Sequence, residues 1–201
     1  MIRVFNAFGK SFLSCNSDLK RFNAKYDNLN IKSLTCPLCR AKSSCTFFSA
    51  YSRNMITFEN GLNTCHTVSI TRVICNSCNH THAILPDHLI PFGSYTLSFV
   101  LKVLRAYFLG TKTIISLCDF FQISISTLYE WIRLFNEQKH IWLGVLNDAA
   151  TSELRFIADI FCCSMVVSSF YQITKTSFMQ NFKTTLSNSS WIFCSLFLTF
   201  T

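Results

Sequence analysis

The chain has 201 residues, half of them hydrophobic and only 14% charged, which excludes an intrinsically disordered protein and leaves enough length to bury a core without disulfide staples. Five Gly and three Pro exclude collagen, polyproline spacers and Gly-rich linker arrays. The net charge of +8 is confined to one half: residues 1–110 hold 12 Lys and Arg against 4 Asp and Glu, whereas residues 111–201 hold 6 of each. A basic, Cys-bearing half beside a neutral, Phe-rich half points to an anion-binding module, nucleic acid foremost, next to a packing module. Ordinary solubility charge is the alternative.

Residues 1–33 form a basic lead-in with one helix predicted over 17–26. From 34 to 91 the texture changes to short runs at 45–48, 53–58 and 64–74 bounded by turn formers. In the last run Val68 and Ile70 alternate with Thr67, Ser69 and Thr71, the period of a half-buried strand. A small antiparallel β unit is expected there. Pro91-Phe92-Gly93 makes the best joint, because helical spacing follows it. Leu97, Val100, Leu101, Leu104 and Phe108 predict a helix over 95–109 that Gly110 ends. Two more helices are predicted over 113–122 and 126–139, then one around 150–166. Residues 147–201 read as a Phe/Ser-rich helical tail.

Eleven cysteines, an odd number in a chain of this size, fit metal ligation in a reducing compartment better than a disulfide framework. Asn6, Gly9 and Lys10 break the apolar start, so no secretory signal is expected, although the lack of acids before Asp18 imitates an organelle transit peptide. Cytoplasmic location is the expectation. The uncharged stretches 160–174 and 184–201 are too short or too polar for a span of about 20 apolar residues, so a membrane is not an expected partner.

Cys36-Pro37-Leu38-Cys39 and Cys75-Asn76-Ser77-Cys78 are two C-x-x-C units with 35 residues between them. Each unit aims two sulfurs at one spot, and a β-hairpin joining them creates a tetrahedral four-thiolate site. Structural Zn²⁺ is the expected cofactor, bound by Cys36, Cys39, Cys75 and Cys78, with Arg40, Lys42 and Arg72 offsetting the negative charge. A closed site of this kind holds no catalytic water. The alternatives are a redox dithiol, which lacks its usual βαβ context, and accidental cysteines. His66, His80 and His82 are candidate substitute ligands. Cys15, Cys45, Cys65, Cys118, Cys162, Cys163 and Cys194 lack knuckle spacing and read as small buried hydrophobes.

Residues 113–138 fit a helix-turn-helix. Ile114, Leu117, Cys118 and Phe121 line one face of the first helix, Ile123 fills the turn, and Leu128, Trp131, Ile132 and Phe135 line the second, with Ser126 as its N-cap. Gln122 stands where Gly is common. If the second helix enters a major groove, Thr127, Tyr129, Glu130 and Arg133 project toward it. Against that, Lys112, Arg133 and Lys139 only balance Asp119, Glu130 and Glu137, so a plain αα-hairpin stays open and the ribbon would supply most phosphate contacts.

Cys-Pro-Leu-Cys at 36–39, Tyr51-Ser52-Arg53, Arg72-Val73-Ile74-Cys75-Asn76-Ser77-Cys78, Thr81-His82-Ala83-Ile84-Leu85-Pro86 and the helix-turn-helix together resemble the N-terminal region of bacterial insertion-sequence transposases and related small clostridial-type proteins of unknown function. The resemblance covers about residues 34–140. It implies a zinc ribbon whose ligands are Cys36, Cys39, Cys75 and Cys78, and binding to transposon-end DNA. Tyr51, Arg53 and Arg72 match recurrent positions as candidate DNA contacts or ribbon-packing residues. Such transposases continue into an RNase H-like catalytic domain, which the 55 residues after Leu146 are too few to hold. Asp148, Glu153 and Asp159 lie close together on one predicted helix, spaced for a solvated face and not for a two-metal centre. No catalysis is expected.

The combined expectation is an α+β chain: a small antiparallel zinc-ribbon β unit (34–91), then a mainly helical region (92–146) containing a helix-turn-helix. Its function would be zinc-dependent binding of double-stranded DNA, with Arg40, Lys42, Arg53, Arg72, Thr127, Tyr129 and Arg133 as candidate contacts. A homodimer or a transposase-type partner is the expected assembly, and no small-molecule substrate is expected. The alternatives are a zinc-ribbon protein-docking module, with the Phe-rich tail as a second surface, and the DNA-binding subunit or remnant of a transposase.

Overall fold

Asn60 and Gly61 both adopt left-handed backbone, at φ 54° and 81°, the two-residue turn that matches the right-handed twist of antiparallel strands. They join strands Cys45–Glu59 and Leu62–Cys75 in a computed structural model that describes residues 1–5, 17–146, 152–162 and 165–181. A strand at Thr81–Pro86 pairs antiparallel with the second arm of the hairpin, and Ile2–Val4 pairs parallel with it in turn. In chain order these are β1 (Ile2–Val4), β2 (Cys45–Glu59), β3 (Leu62–Cys75) and β4 (Thr81–Pro86), arranged β1-β4-β3-β2.

The sheet is therefore mixed, not antiparallel throughout, because residues expected in the lead-in supply its parallel edge. The runs at 45–48 and 53–58 are also parts of one strand. Tyr51 and Ser52 pair with Ile70 and Ser69, and the register slips only between Phe47 and Ser49. Continuous pairing with β3 holds polar residues in the extended form that their own pattern does not signal.

Helix α1 (Asp18–Asp27) covers one face of the sheet, burying Phe22 among Met55, Val68, Ile70, Leu85 and Leu89. The opposite face near the knuckles buries Ile2, Val73 and Ile84 with Cys36, Cys45 and Cys75. Helix α2 (Leu97–Phe108) starts at Thr96, whose hydroxyl accepts the Phe99 N–H and donates to Asp18 Oδ2 at 2.7 Å. Ser98 donates to the same carboxylate oxygen. The α2 cap is thus tied to α1, and Gly110, at φ 66°, lies just past the helix end.

Helix α3 (Ile114–Phe121) ends at Gln122, which takes φ 50° in the place where glycine is favoured. Helix α4 (Ile125–Leu146) follows. Leu117, Cys118, Phe121, Ile123 and Leu128 pack with Phe99 and Val103 of α2, so the apolar faces read from the periodicity are the faces that are buried. The expected N-cap is corrected: the Thr127 N–H donates to Ser124 Oγ at 3.1 Å, and Ser126 lies inside the first turn. Gln138 accepts the Met179 N–H at 2.6 Å and donates to the Gln180 carbonyl at 3.0 Å, and Lys139 pairs with Glu153 at 2.8 Å. These contacts seat residues 153–181 on α4.

The single helix expected around 150–166 is two helices, α5 (Glu153–Cys162) and α6 (Met165–Thr174), meeting at 104°. The bend lets Phe156, Ile157, Ile160, Phe161, Val167 and Phe170 all enter one core with Leu101, Leu104 and Phe135. Described residues of the tail are thus a helical cap. Among the described residues no single helix is long and apolar enough to cross a membrane, although α5 and α6 together have the length and composition of a bent span.

Four basic side chains from the positive half serve the interior. Arg3 donates to the carbonyls of Leu89 and Asp87 at 2.7 and 3.0 Å, Arg21 pairs with Asp18 at 3.2 Å, and Lys25 lies 3.5 Å from Asp87. Arg53 donates to the carbonyls of Ile90 and Gly93, clamping the joint at 91–93. Beside this network His88 is fully buried, with Nδ1 3.5 Å from Asp87 Oδ1 and no hydrogen bond to either ring nitrogen. Burial pushes the His88 imidazole below its usual range. Burial works the other way on Asp87, but contact with His88 and the charges of Lys25 and Arg3 hold that carboxyl at about 2.

The sign follows from linkage. Unfolded His88 takes a proton that the folded chain binds less well, so its stabilising contribution is present above about pH 6.5 and lost as pH falls. The depressed Asp87 adds a loss only below about pH 4. The melting temperature should drop between pH 7.5 and 5.5, with a shallower drop in His88→Gln. Equal slopes for the two proteins in thermal denaturation by circular dichroism would count against His88 as the source.

Candidate metal centre

The two C-x-x-C units fold into the same turn. The Cys36 N–H donates to the Ala41 carbonyl and the Arg40 N–H to the Cys36 carbonyl, each at 3.0 Å. The Cys75 N–H donates to the His80 carbonyl at 3.0 Å and the Asn79 N–H to the Cys75 carbonyl at 2.7 Å. Arg40 and Asn79, each one residue past the second cysteine, take left-handed backbone at φ 61° and 58°. Asn tolerates that conformation well and Arg less so.

Strand pairing brings the turns together. Cys45 lies opposite Cys75, the Asn76 N–H donates to the Ser44 carbonyl at 2.9 Å, and a bridge between Thr35 and Lys42 closes the first turn. As a result the sulfurs of Cys36, Cys39, Cys75 and Cys78 all lie within 4.8 Å of one another, with Cys36 to Cys78 at 3.7 Å and Cys39 to Cys75 at 3.6 Å. Four sulfurs at about 2.3 Å around a tetrahedral ion would stand about 3.8 Å apart. The cluster has the donors and spacing to hold a metal ion. Among the described residues it is the one group of three or more metal-ligating side chains so placed.

The electrostatics favour thiolates at the first cysteine of each turn. Burial raises the Cys36 thiol, but the N–H groups of Cys39 and Leu38 turn toward its sulfur and hold it at about 5. Cys75 is lowered in the same way, against its burial, by the N–H groups of Ser77 and Cys78. A sulfur that accepts two backbone N–H groups is stabilised as an anion before any cation arrives. His82, buried on β4, places Nε2 3.3 Å from Cys36 Sγ and Nδ1 3.4 Å from the Met1 amine. It contacts a cluster sulfur from outside the group of four.

The other histidines lie elsewhere. His80 Nδ1 sits 2.8 Å from the Cys78 carbonyl, and His66 Nε2 sits 3.3 Å from Thr57 Oγ1. Cys45 and Cys118 are buried as expected, whereas Cys65 and Cys162 are exposed. Cys65 is on the outward side of β3 and Cys162 at the solvent end of α5, so the small-hydrophobe reading is corrected for both. Cys15, Cys163 and Cys194 fall outside the described residues, as does Asp148.

Of the candidate DNA contacts, Arg40 and Lys42 are exposed beside the first knuckle. Arg72 lies over the Phe48 ring, 5.6 Å from its centroid, and donates to Thr81 Oγ1 at 2.8 Å. Arg53 is half-buried and its guanidinium donates to the Ile90 and Gly93 carbonyls, a packing contact. On α4, Tyr129 is exposed, Thr127 shares a 2.8 Å hydroxyl contact with Ser124, and Arg133 is paired with both Glu130 and Glu137. The contact of His82 with a cluster sulfur and the repeated left-handed position after each knuckle were the features that the ligand spacing did not reveal.

Residues 36–131 match a family model described as a domain of unknown function (DUF6431). The matched span begins at Cys36 and ends at Trp131, so it takes in all four cluster cysteines, the hairpin, α2, α3 and the first turns of α4. No curated protein and no solved structure matches the chain.

Two outcomes follow from this geometry. The purified chain should carry close to one tetrahedrally bound metal, and Cys36→Ser with Cys75→Ser should abolish binding and the cooperative melt of the hairpin, read by metal analysis and circular dichroism. His82→Phe should leave the stoichiometry at one but weaken the metal about 10- to 100-fold in competition with a chromogenic chelator, the usual cost of losing a group that orients a ligand.

Proposed function

We propose that this chain is a zinc-ribbon and helix-turn-helix DNA-binding protein, related to the N-terminal regions of insertion-sequence transposases. The observation that carries the reading is the charge of the knuckle-bearing sheet. Between residues 28 and 86 the sole carboxylate is Glu59, at the hairpin turn, where it accepts the Asp18 N–H at 3.3 Å. Lys32, Arg40 and Lys42 are exposed in the same region and Arg72 is half-exposed. A surface with cations and almost no acids suits a polyanion. Four thiolates on a divalent ion carry two negative charges, which these cations also offset locally.

Zinc is the ion that best suits four thiolates in a closed site, and it would lock the two knuckles against each other. The α3–turn–α4 unit would dock beside the ribbon. Its Arg133 is neutralised by Glu130 and Glu137, so the ribbon would supply the phosphate contacts and the exposed Tyr129 the nearest groove contact. The arrangement of acids favours binding over catalysis: Glu153 is held by Lys139 and Asp159 is exposed on α5. A cytoplasmic, self-associating protein, or one that joins a transposase-type partner, fits this reading.

Electrophoretic binding to duplex DNA over a salt series tests it. If Lys32, Arg40, Lys42 and Arg72 each meet a phosphate, log affinity should fall against log salt with a slope of about −3 to −4. Arg40→Gln with Lys42→Gln should reduce that slope by about 2 while the metal content stays at one. Bound metal with no salt-dependent DNA binding would move the ribbon to a protein-docking role.

A further inference from the structure

We infer that the rim of β2 beside the knuckles is a stacking platform for unpaired nucleotides, so that the chain engages single-stranded or locally opened nucleic acid there, and not only duplex. The inference rests on the DNA-binding reading and specifies which form of nucleic acid this face takes.

The platform is created by the register slip in β2. Phe47 lies opposite Val73 and Ser49 opposite Arg72, which leaves Phe48 between them without a partner on β3. A bulge of this kind re-aims a side chain at the edge of a sheet. Phe48 is 51% exposed and Tyr51 40% on an edge strand, while Phe47, opposite Val73, belongs to the other face. Tyr51 pairs with Ile70, two residues from Arg72 along β3, which puts Tyr51 and Arg72 on one face. The Arg72 guanidinium is already stacked 5.6 Å from the Phe48 ring centroid.

Solvent-facing aromatic rings are unfavourably hydrated, so a partner that covers them gains free energy. The charge around them selects the occupant. Arg72 stands over Phe48, the exposed Arg40 and Lys42 precede β2 in the chain, and β2 carries no carboxylate before Glu59 at its far end. An acidic partner that also brings flat rings is therefore favoured over an apolar protein surface. Nucleotides have both properties, with bases stacking on Phe48 and Tyr51 while the phosphates meet the cations. The bases of a closed duplex are stacked on each other and cannot reach the rings, so the aromatics act only on unpaired ones.

The full-length, metal-loaded chain would be titrated into a fluorescein-labelled 20-nucleotide single strand and into the duplex of the same sequence, with anisotropy as the readout. Phe48→Ala and Tyr51→Ala, each confirmed to retain one metal, should weaken single-strand binding about tenfold apiece and leave duplex binding within about twofold. Phe48→Trp should restore what Phe48→Ala removes. Equal losses on both forms, or no loss on the single strand, would overturn the platform while leaving duplex recognition standing. No binding to either form would overturn the DNA-binding reading itself.

Discussion

Four cysteine sulfurs within 4.8 Å of one another would repel strongly as thiolates, and they converge here because the backbone turns of residues 36–41 and 75–80 each aim N–H groups at a sulfur. A cation among them would convert that repulsion into the strongest cross-link in the molecule. The rest of the sheet depends on this constraint. The first knuckle reaches the second only through the register that places Cys45 opposite Cys75, and the small core of Ile2, Val73 and Ile84 packs directly on the buried cysteines. A metal bound among these cysteines would therefore couple its binding to the folding of this end.

The other end is held by conventional packing. α2 lies at the centre: Phe99 and Val103 join α3 and α4, while Leu97, Val100, Leu101 and Leu104 join the core that α5 and α6 close. Between the two ends, the carboxylate of Asp18 ties α1 to the start of α2, and Arg53 ties β2 to the carbonyls at the joint. Sheet and helices therefore share polar clamps across a segment whose prolines and glycine suggest a hinge.

Internal use of cations changes the meaning of the net charge. Arg3, Arg21, Lys25 and Arg53 satisfy carbonyls and buried carboxylates, so the positive half is less available to an external polyanion than its composition implies. Outside, Arg40 and Lys42 stand at the first knuckle and Arg72 against Phe48, with Lys20, Lys32, Lys102 and Arg105 exposed elsewhere. On α4 the reverse holds. Arg133 looks like a groove contact from spacing alone, yet Glu130 and Glu137 at three and four residues away bring their carboxylates onto it.

The sequence by itself determined the α+β class, the four clustered cysteines, the apolar faces of α2, α3 and α4 and the boundary of α1, because each follows from a period or spacing a few residues long. It also contained Asn60-Gly61, a local signal for the hairpin, although the separate short runs around it concealed one 15-residue strand. Only the tertiary structure decided that Ile2–Val4 adds a parallel edge, that Arg53 is a clamp, that His82 contacts Cys36 and that the tail bends so that α5 and α6 enter one core. Those features are contacts between residues tens of positions apart, often through backbone carbonyls that every residue possesses. No local pattern encodes which carbonyl will need a donor, so the partner becomes visible only when the chain is folded.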